Sequence, residues 1–423
     1  MRIAILSDSP FYPTGYSNQA KLLAKYLREK GHEIHFFANG FSGATIKRAE
    51  LEDGTIFDYT IYGQGKDQYF SDIMSGLLKK LNIEKFIILL DTFMLHGTYG
   101  NPHGGWFLQT DTSPAETYFW FPSDGGGGLP KGCDLILKKI NHPIAMAKYG
   151  QKQVKDYYNM DTDYIPHGTE PDRFYKLPDD QREEARKKWK LEGKFVIGVV
   201  ARNQGRKMLD RTIKACAIMN KIRDKIPNAV LFLHLDANDP AQTFLINNLV
   251  QRYNLENRVV YSGMSALKGF GWNEMNEIYN LFDVFLLTTS GEGFGIPIIE
   301  AMAVEVPVLA TDYTTTPELV KQNKSGLGIN LVANAEEEMD LMTMNLIEYD
   351  NLTMDSTLTG SWEVERGLCS IKDAAEKLVY LYDHPEERKT MGQNGRKAVL
   401  EQYDFNKIVG PAWEKALVGD KLI

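Results

Sequence analysis

The chain has 423 residues, enough for two or three domains, and its 43% apolar and 25% charged residues are an ordinary globular balance. Three cysteines (Cys133, Cys216 and Cys369), none in a C-x-x-C pair, exclude a complete disulfide framework and point to a reducing compartment, the cytoplasm. A net charge of −8 argues against avid nonspecific nucleic-acid binding, the start from Met1 to Asp8 is too soon polar for a signal peptide, and no apolar run is long enough to span a bilayer.

Arg2 to Ser7 predicts a first buried strand. Pro10 to Ser17 is turn-rich, with Ser17 or Asn18 placed to cap a helix from about Asn18 to Lys30 that carries Ala20, Leu23, Ala24 and Leu27 on one face. Gly31 ends that helix, and Glu33 to Ala38 predicts a second strand. Such a βαβ opening sets a loop at the C-terminal end of a strand, where open α/β sheets bind ligands. The loop has no G-x-G-x-x-G, so it indicates no dinucleotide site. Lys21, Lys25 and Arg28 recur at helical spacing, for which a solvated face is favoured over peripheral membrane contact.

Phe86 to Leu90 predicts another buried strand, ending at Asp91. The long irregular stretch from Thr92 to Pro114 carries His96 and His103, both weak candidates for a functional loop. Thr117 to Phe121 predicts a strand, and Asp124 stands just beyond it, where an acceptor base would sit; an aspartate opening the glycine turn 125–128 is the competing reading. Asp161-Thr162-Asp163 has the D-x-D spacing of a metal site but lies in a polar turn, so no metal is expected there.

Composition marks a boundary near Gly168, because Pro178 to Lys190 is highly charged and reads as one polar linker helix. The α/β rhythm restarts with a strand from Lys194 to Ala201, the basic loop Arg202-Asn203-Gln204-Gly205-Arg206-Lys207, and a helix from about Met208 to Arg223. Strands from Ala229 to Leu235 and from Arg258 to Ser262 alternate with helices from Pro240 to Asn254 and from Asn273 to Leu281, which implies a parallel sheet covered on both sides. Arg202 and Lys207, five apart across a strand-to-helix turn, suit a diphosphate: the guanidinium fork holds two oxygens and the ammonium adds a point charge. Arg206 is a spare for either.

The most informative run is Ser290-Gly291-Glu292-Gly293-Phe294-Gly295-Ile296-Pro297-Ile298-Ile299-Glu300-Ala301-Met302-Ala303. It lies between two apolar strands, from Asp283 to Leu287 and from Val306 to Ala310. Gly293 and Gly295 let backbone approach a ligand, Pro297 suits a first helical turn, and a helix starting near Phe294 aims free N–H groups at the loop. Glu292 in the turn and Glu300 in the helix would be roughly 9–10 Å apart at about 1.5 Å per residue. That layout suits hydroxyls at both ends of a ligand with a diphosphate between them, as in a nucleotide-sugar.

This run resembles the E-x7-E signature of the retaining GT-B glycosyltransferases called family 4 or group 1, and every fixed position of E-G-F-G-x-P-x-x-E-A-M-A is matched. Pro166-His167-Gly168-Thr169-Glu170-Pro171-Asp172-Arg173-Phe174 resembles the family's segment at the junction of its two domains. The loop at Gly15 is similar to the family's N-terminal glycine loop, and Arg202 and Lys207 match its phosphate-binding pair. Thr314-Thr315-Thr316 departs from the D-x-G-G-x-x-E that follows in the family, which puts the sugar contacts there in doubt. The stretch from Leu341 to Ser370 looks like an insertion.

The resemblance implies an α/β architecture of two Rossmann-like domains with parallel sheets facing a central cleft. The acceptor domain would be 1–168, joined by a final helix at about 405–423 packing back on it, and the donor domain 169–404. It implies transfer of a sugar from a nucleotide-sugar such as a UDP- or GDP-sugar, with retention and without a metal or other cofactor. Arg202, Lys207, Glu292 and Asp124 would be catalytic, and Gly15, Arg202, Lys207, Glu292, Gly293, Phe294, Gly295 and Glu300 would bind the donor. Glu300 would hold the ribose and Glu292 the transferred sugar. The acceptor stays open among a saccharide, a lipid-linked glycan and a small molecule. A modified nucleobase in DNA is a rival acceptor, disfavoured because 1–168 carries 17 Lys+Arg and 18 Asp+Glu. A non-catalytic nucleotide-sugar-binding protein is the rival of another class. The sequence carries no signal for an oligomeric state.

Overall fold

In the computed structural model, residues 1–50, 55–96, 105–130, 132–222, 226, 228–239, 242–265, 269–332 and 364–420 are described. The chain divides into two compact units: Met1–Gly168, Ser361–Val364 and Phe405–Ile423 form one, and Thr169–Gly360 with Glu365–Asp404 form the other.

The first unit holds β1 (Arg2–Asp8), β2 (Glu33–Asn39), β3 (Ala49–Glu50), β4 (Ile56–Phe57), β5 (Thr60–Tyr62), β6 (Lys85–Leu89), β7 (Glu116–Phe121), β8 (His142–Ala145) and β9 (Asp163–Tyr164). Apart from the small antiparallel pair β3–β4, these make one parallel sheet in the order β5-β2-β1-β6-β7-β8-β9. Ile3 to Leu6 and Phe86 to Ile88 are fully buried, as both faces of a parallel sheet require. The C-terminal helix Gly410–Val418 belongs to this unit. Its Trp413 is fully buried, with its ring edge-on to Trp120 at 5.1 Å. A Cβ added to Gly410 would come within 2.6 Å of the Tyr26 ring, so only glycine permits that approach.

The second unit holds β10 (Phe195–Val200), β11 (Ala229–His234), β12 (Val259–Tyr261), β13 (Val284–Leu287), β14 (Val308–Thr311) and β15 (Gly326–Ile329). All pair in parallel, in the order β12-β11-β10-β13-β14-β15. Helices Leu209–Ile222 and Ile371–Asp383 pack against each other and against the sheet through Ile213, Leu378 and Leu381.

Several local expectations are corrected. The first helix runs from Gly15 to Glu29, not from Asn18, because Thr14 is its cap and accepts from the Ser17 N–H at 3.1 Å. Thr92–His96 and Trp106–Gln109 are short helices inside the stretch read as irregular. Of the helix expected from Pro240, the first two positions lie outside the described residues, 242–245 are not helical, and the helix is Ile246–Arg252. Asn203 intervenes: its amide donates to Phe244 O at 2.8 Å and accepts from Phe244 N at 3.1 Å, which holds that backbone out of a helix. His103 and 341–363 of the expected insertion lie outside the described residues.

Candidate functional site

In the second sheet β10 lies between β11 and β13. The chain leaves β10 toward one edge of the sheet and returns to β13 to build the other, so the loops after these two strands part at a topological switch point. The loop after β10 carries Arg202, Arg206 and Lys207, and the loop after β13 carries Glu292. Residues 85 apart in sequence therefore meet: Lys207 Nζ donates to Glu292 Oε1 at 2.6 Å. Arg206 Nη1 donates to Glu292 Oε2 at 2.8 Å and to Gly291 O at 3.2 Å.

Glu292 is 3% exposed and Lys207 7%. Burial alone would push the Glu292 carboxyl up, but the Arg206 and Lys207 charges outweigh it and hold it down at about 2. Arg202 stands apart, half exposed, with its Nε donating to the buried Asp239 Oδ2 at 2.9 Å.

Hydroxyls stitch the two loops together. Ser290 N and Oγ both donate to Arg206 O, at 2.7 and 3.1 Å, and Thr289 Oγ1 donates to the same carbonyl at 3.1 Å. Thr288 Oγ1 reaches Met208 O at 2.9 Å. The threonines after β14 hold the Glu292 turn from its other side: Thr314 Oγ1 accepts from Glu292 N at 2.9 Å, and Thr315 Oγ1 donates to Glu292 O at 2.8 Å. Thr314 has φ 52°, an unfavourable left-handed conformation for a β-branched residue, at the position where the resembled pattern has glycine. Its two side-chain hydrogen bonds, the second to Tyr313 O at 2.8 Å, offset that strain.

The helix after this turn is Ile296–Ala303, slightly later than expected. Its cap is Gly295 at φ 102°, which a residue with a Cβ would adopt only under strain and which offers no side-chain acceptor to the first N–H groups. Phe294 is buried and edge-on to Tyr403 at 5.9 Å. Glu300 is 8% exposed and accepts from the Tyr279 hydroxyl at 2.6 Å. Burial pushes its carboxyl up to about 7, against the smaller downward pull of that hydrogen bond. The second unit thus carries Glu292, Gly293, Phe294, Gly295 and Glu300 on one turn and its helix, with Arg202 and Lys207 on the neighbouring loop after β10.

Gly15 and Asp124 belong to the first unit. Gly15 is the exposed first residue of its helix, and Asp124 is partly exposed just after β7. At the first sheet's own switch point, between β1 and β6, Asp8 accepts from Thr14 Oγ1 at 2.7 Å and Asn39 Nδ2 at 3.2 Å, and Asp91 accepts from the Tyr16 hydroxyl at 2.5 Å. His96 packs against Gly132, where an added Cβ would lie 2.7 Å from its Nε2. Asp161 pairs with Lys155 at 2.9 Å, and Asp163 is in β9. Among the described residues no group of three or more His, Cys, Asp or Glu side chains is arranged to hold a metal, and no helix is long and apolar enough to cross a membrane.

Asp239 and Tyr279 escaped the sequence reading, and Arg206 entered it only as a spare. An aspartate soon after a strand end was the available signal for Asp239; nothing in the pattern around Tyr279 sets it apart from a core aromatic.

Residues 181–342 match the model of the family described as glycosyl transferases group 1. Mannosylfructose-phosphate synthase of Agrobacterium fabrum is 28% identical over 190 residues, 43% of this chain and 38% of that protein, so the match spans less than half of that relative's length. Sucrose-phosphate synthase of Thermosynechococcus elongatus has a similar structure, with a TM-score of 0.71 at 16% identity over 99% of this chain and 100% of the other. The Anabaena protein HepE in complex with UDP-glucose gives 0.69 at 14% identity, over 99% and 100%. These two are likenesses of fold, and the fold is GT-B, two α/β units with parallel sheets.

Proposed function

We propose that this chain, whose residues 181–342 match the model of the group 1 glycosyl transferases, transfers a sugar from a nucleotide-sugar to an acceptor with retention at the anomeric carbon. The observation that carries this reading is the Arg206–Lys207–Glu292 cluster at the β10/β13 switch point, beside a helix start with no side-chain cap. A departing nucleoside diphosphate is the group whose charge such a place stabilises.

In this reading the bond from the anomeric carbon to the β-phosphate oxygen breaks, the acceptor oxygen bonds to that carbon, and the acceptor proton passes to a base, for which Asp124 is the candidate. Lys207, Arg202 and the N–H groups around Phe294 and Gly295 neutralise the diphosphate as it leaves. Glu300 accepts from the ribose and Glu292 from the transferred sugar while it keeps Lys207 in place. Two cations and a helix start supply the charge that a metal supplies elsewhere, so no metal or other cofactor is invoked. The UDP-glucose bound by the Anabaena protein supports a nucleotide-sugar as donor.

A thermal-shift screen over nucleoside diphosphates and nucleotide-sugars tests the donor site, since a ligand at about 100 times its Kd stabilises by about 2.7 kcal/mol. Product anomeric configuration by NMR, with and without EDTA, tests the rest. No shift with any nucleotide overturns the donor site, and an inverted product overturns retention.

A further inference from the structure

Tyr279 is fully buried on the helix Trp272–Leu281, and its hydroxyl donates to Glu300 Oε2 at 2.6 Å. Its ring sits among Phe174, Phe282 and Phe285, with centroids 5.8, 5.9 and 6.1 Å away. Three aromatic neighbours leave the phenol one orientation, so the hydroxyl is a fixed donor. Burial also raises its own ionisation well above the ordinary range, so it donates at every working pH.

Among the described residues, charged groups before, after and beside the Glu300 helix have other partners. Glu292, before the helix, holds Arg206 and Lys207, and Glu305, after it, pairs with Lys176 at 3.0 Å. From the packed helix Pro385–Ala398, Arg396 donates to Ala303 O at 2.8 Å. Tyr403, on the segment that follows, is pushed up to about 12 by burial and is neutral. Among the described residues, Tyr279 is the titratable side chain whose contact with Glu300 is direct.

We propose that Tyr279 is the positioning residue of the nucleotide site: its hydroxyl occupies Oε2 of Glu300 and sets the carboxylate plane, so that Oε1 accepts a ribose hydroxyl without further ordering. This rests on the reading of Glu300 as the ribose-binding group. A carboxylate already fixed loses little rotamer freedom when ligand arrives. It is also a carboxylate that charges with difficulty, because burial favours its protonated form. Each hydroxyl that donates to it favours the charged form, so nucleotide binding releases a proton below about pH 7.

The test is calorimetry of wild type, Tyr279→Phe and Glu300→Gln with UDP and GDP and their 2′-deoxy and 3′-deoxy counterparts, across roughly pH 5 to 9. Phenylalanine fills the same space. In Tyr279→Phe the ribonucleotide is expected to bind about tenfold more weakly, its preference over the deoxy forms to shrink, and the pH midpoint of its affinity to move upward. The ribose-to-deoxyribose ratio is internal to each variant, so partial unfolding lowers both affinities and leaves the ratio unchanged. If Tyr279→Phe keeps the wild-type ratio and midpoint while Glu300→Gln loses both, Tyr279 is structural only and the proposal is overturned. If Glu300→Gln also keeps both, the ribose assignment fails, and the role of Tyr279 with it.

Discussion

At the switch point of the second sheet, between β10 and β13, the loops carry Arg202, Arg206 and Lys207 against Glu292 and Asp239; at that of the first, between β1 and β6, they carry Asp8 and Asp91 with Thr14, Tyr16 and Asn39. The strand pattern around the two crevices is the same, a central pair of parallel strands with crossovers to either side. The helix starts differ. Thr14 caps the helix Gly15–Glu29 with its own oxygen and donates to Asp8, so that terminus is closed and faced by a carboxylate. Gly295 has no side chain to offer the helix Ile296–Ala303, and the adjoining loop is cationic. The difference teaches that parallel α/β topology sets where the strand-end loops part, while the loop residues set the charge there: basic side chains beside an uncapped helix start in the second unit, and carboxylates held by hydroxyl and amide donors in the first.

The sharpest way to break this contrast is at the buried cation. Lys207→Ala is expected to cut turnover about 100-fold or more, because the charge matters most as the diphosphate departs. It also leaves the buried Glu292 carboxylate to Arg206, and the stability of the second unit to denaturant should fall by about 2 kcal/mol. Arg202→Ala is expected to be milder, roughly tenfold in turnover with stability nearly unchanged, because Arg202 is half exposed. Equal losses at the two positions would mean that burial does not rank these cations.

A second experiment asks whether the first unit's carboxylates belong to a separate step. Asp91→Asn and Asp124→Asn are each expected to slow transfer several-fold, up to about tenfold, while nucleoside diphosphate affinity stays at the wild-type value. Calorimetry alongside steady-state kinetics separates the two. A nucleotide affinity lost as badly as in Lys207→Ala would collapse the division of labour between the two crevices.

The smallest effects concern stability against pH, where the two glutamates of the second unit have opposite signs. Glu292 is depressed to about 2, so its contribution is present above its unfolded value and fades as pH falls toward 2. Glu300 is raised to about 7, so the folded state binds its proton more tightly and stability falls as pH rises from about 4.5 to about 7. Glu300→Gln should flatten the second slope, by no more than about 1 kcal/mol per pH unit, and leave the acid limb alone. Melting curves of ligand-free protein across that window check it; an unchanged slope would mean that Glu300 titrates near its ordinary value.

Much of this was legible in the chain. Strands of a parallel sheet are buried on both faces, so they appear as unbroken apolar runs such as Ile3 to Leu6 and Phe195 to Val200. The glycines and proline around Glu292 specify a tight turn into a helix because their backbone limits are local properties of those residues. Local caps were less legible: Thr14, Ser17 and Asn18 are all competent, and the choice went to the residue whose oxygen also reaches Asp8.

What the sequence determined by itself, then, is the succession of buried strands and helices, and the glycine-rich turn into a helix from Ser290 to Ala303, because each follows from short-range periodicity and backbone chemistry. Tertiary structure alone decided which charges meet. Strand order places β10 beside β13, and that adjacency joins Lys207 and Arg206 to Glu292 across more than eighty residues while sending Arg202 to Asp239. The helix Trp272–Leu281 lays Tyr279 on Glu300, 21 residues away. A side chain's partner is set by which strand ends become neighbours, and no local pattern encodes that.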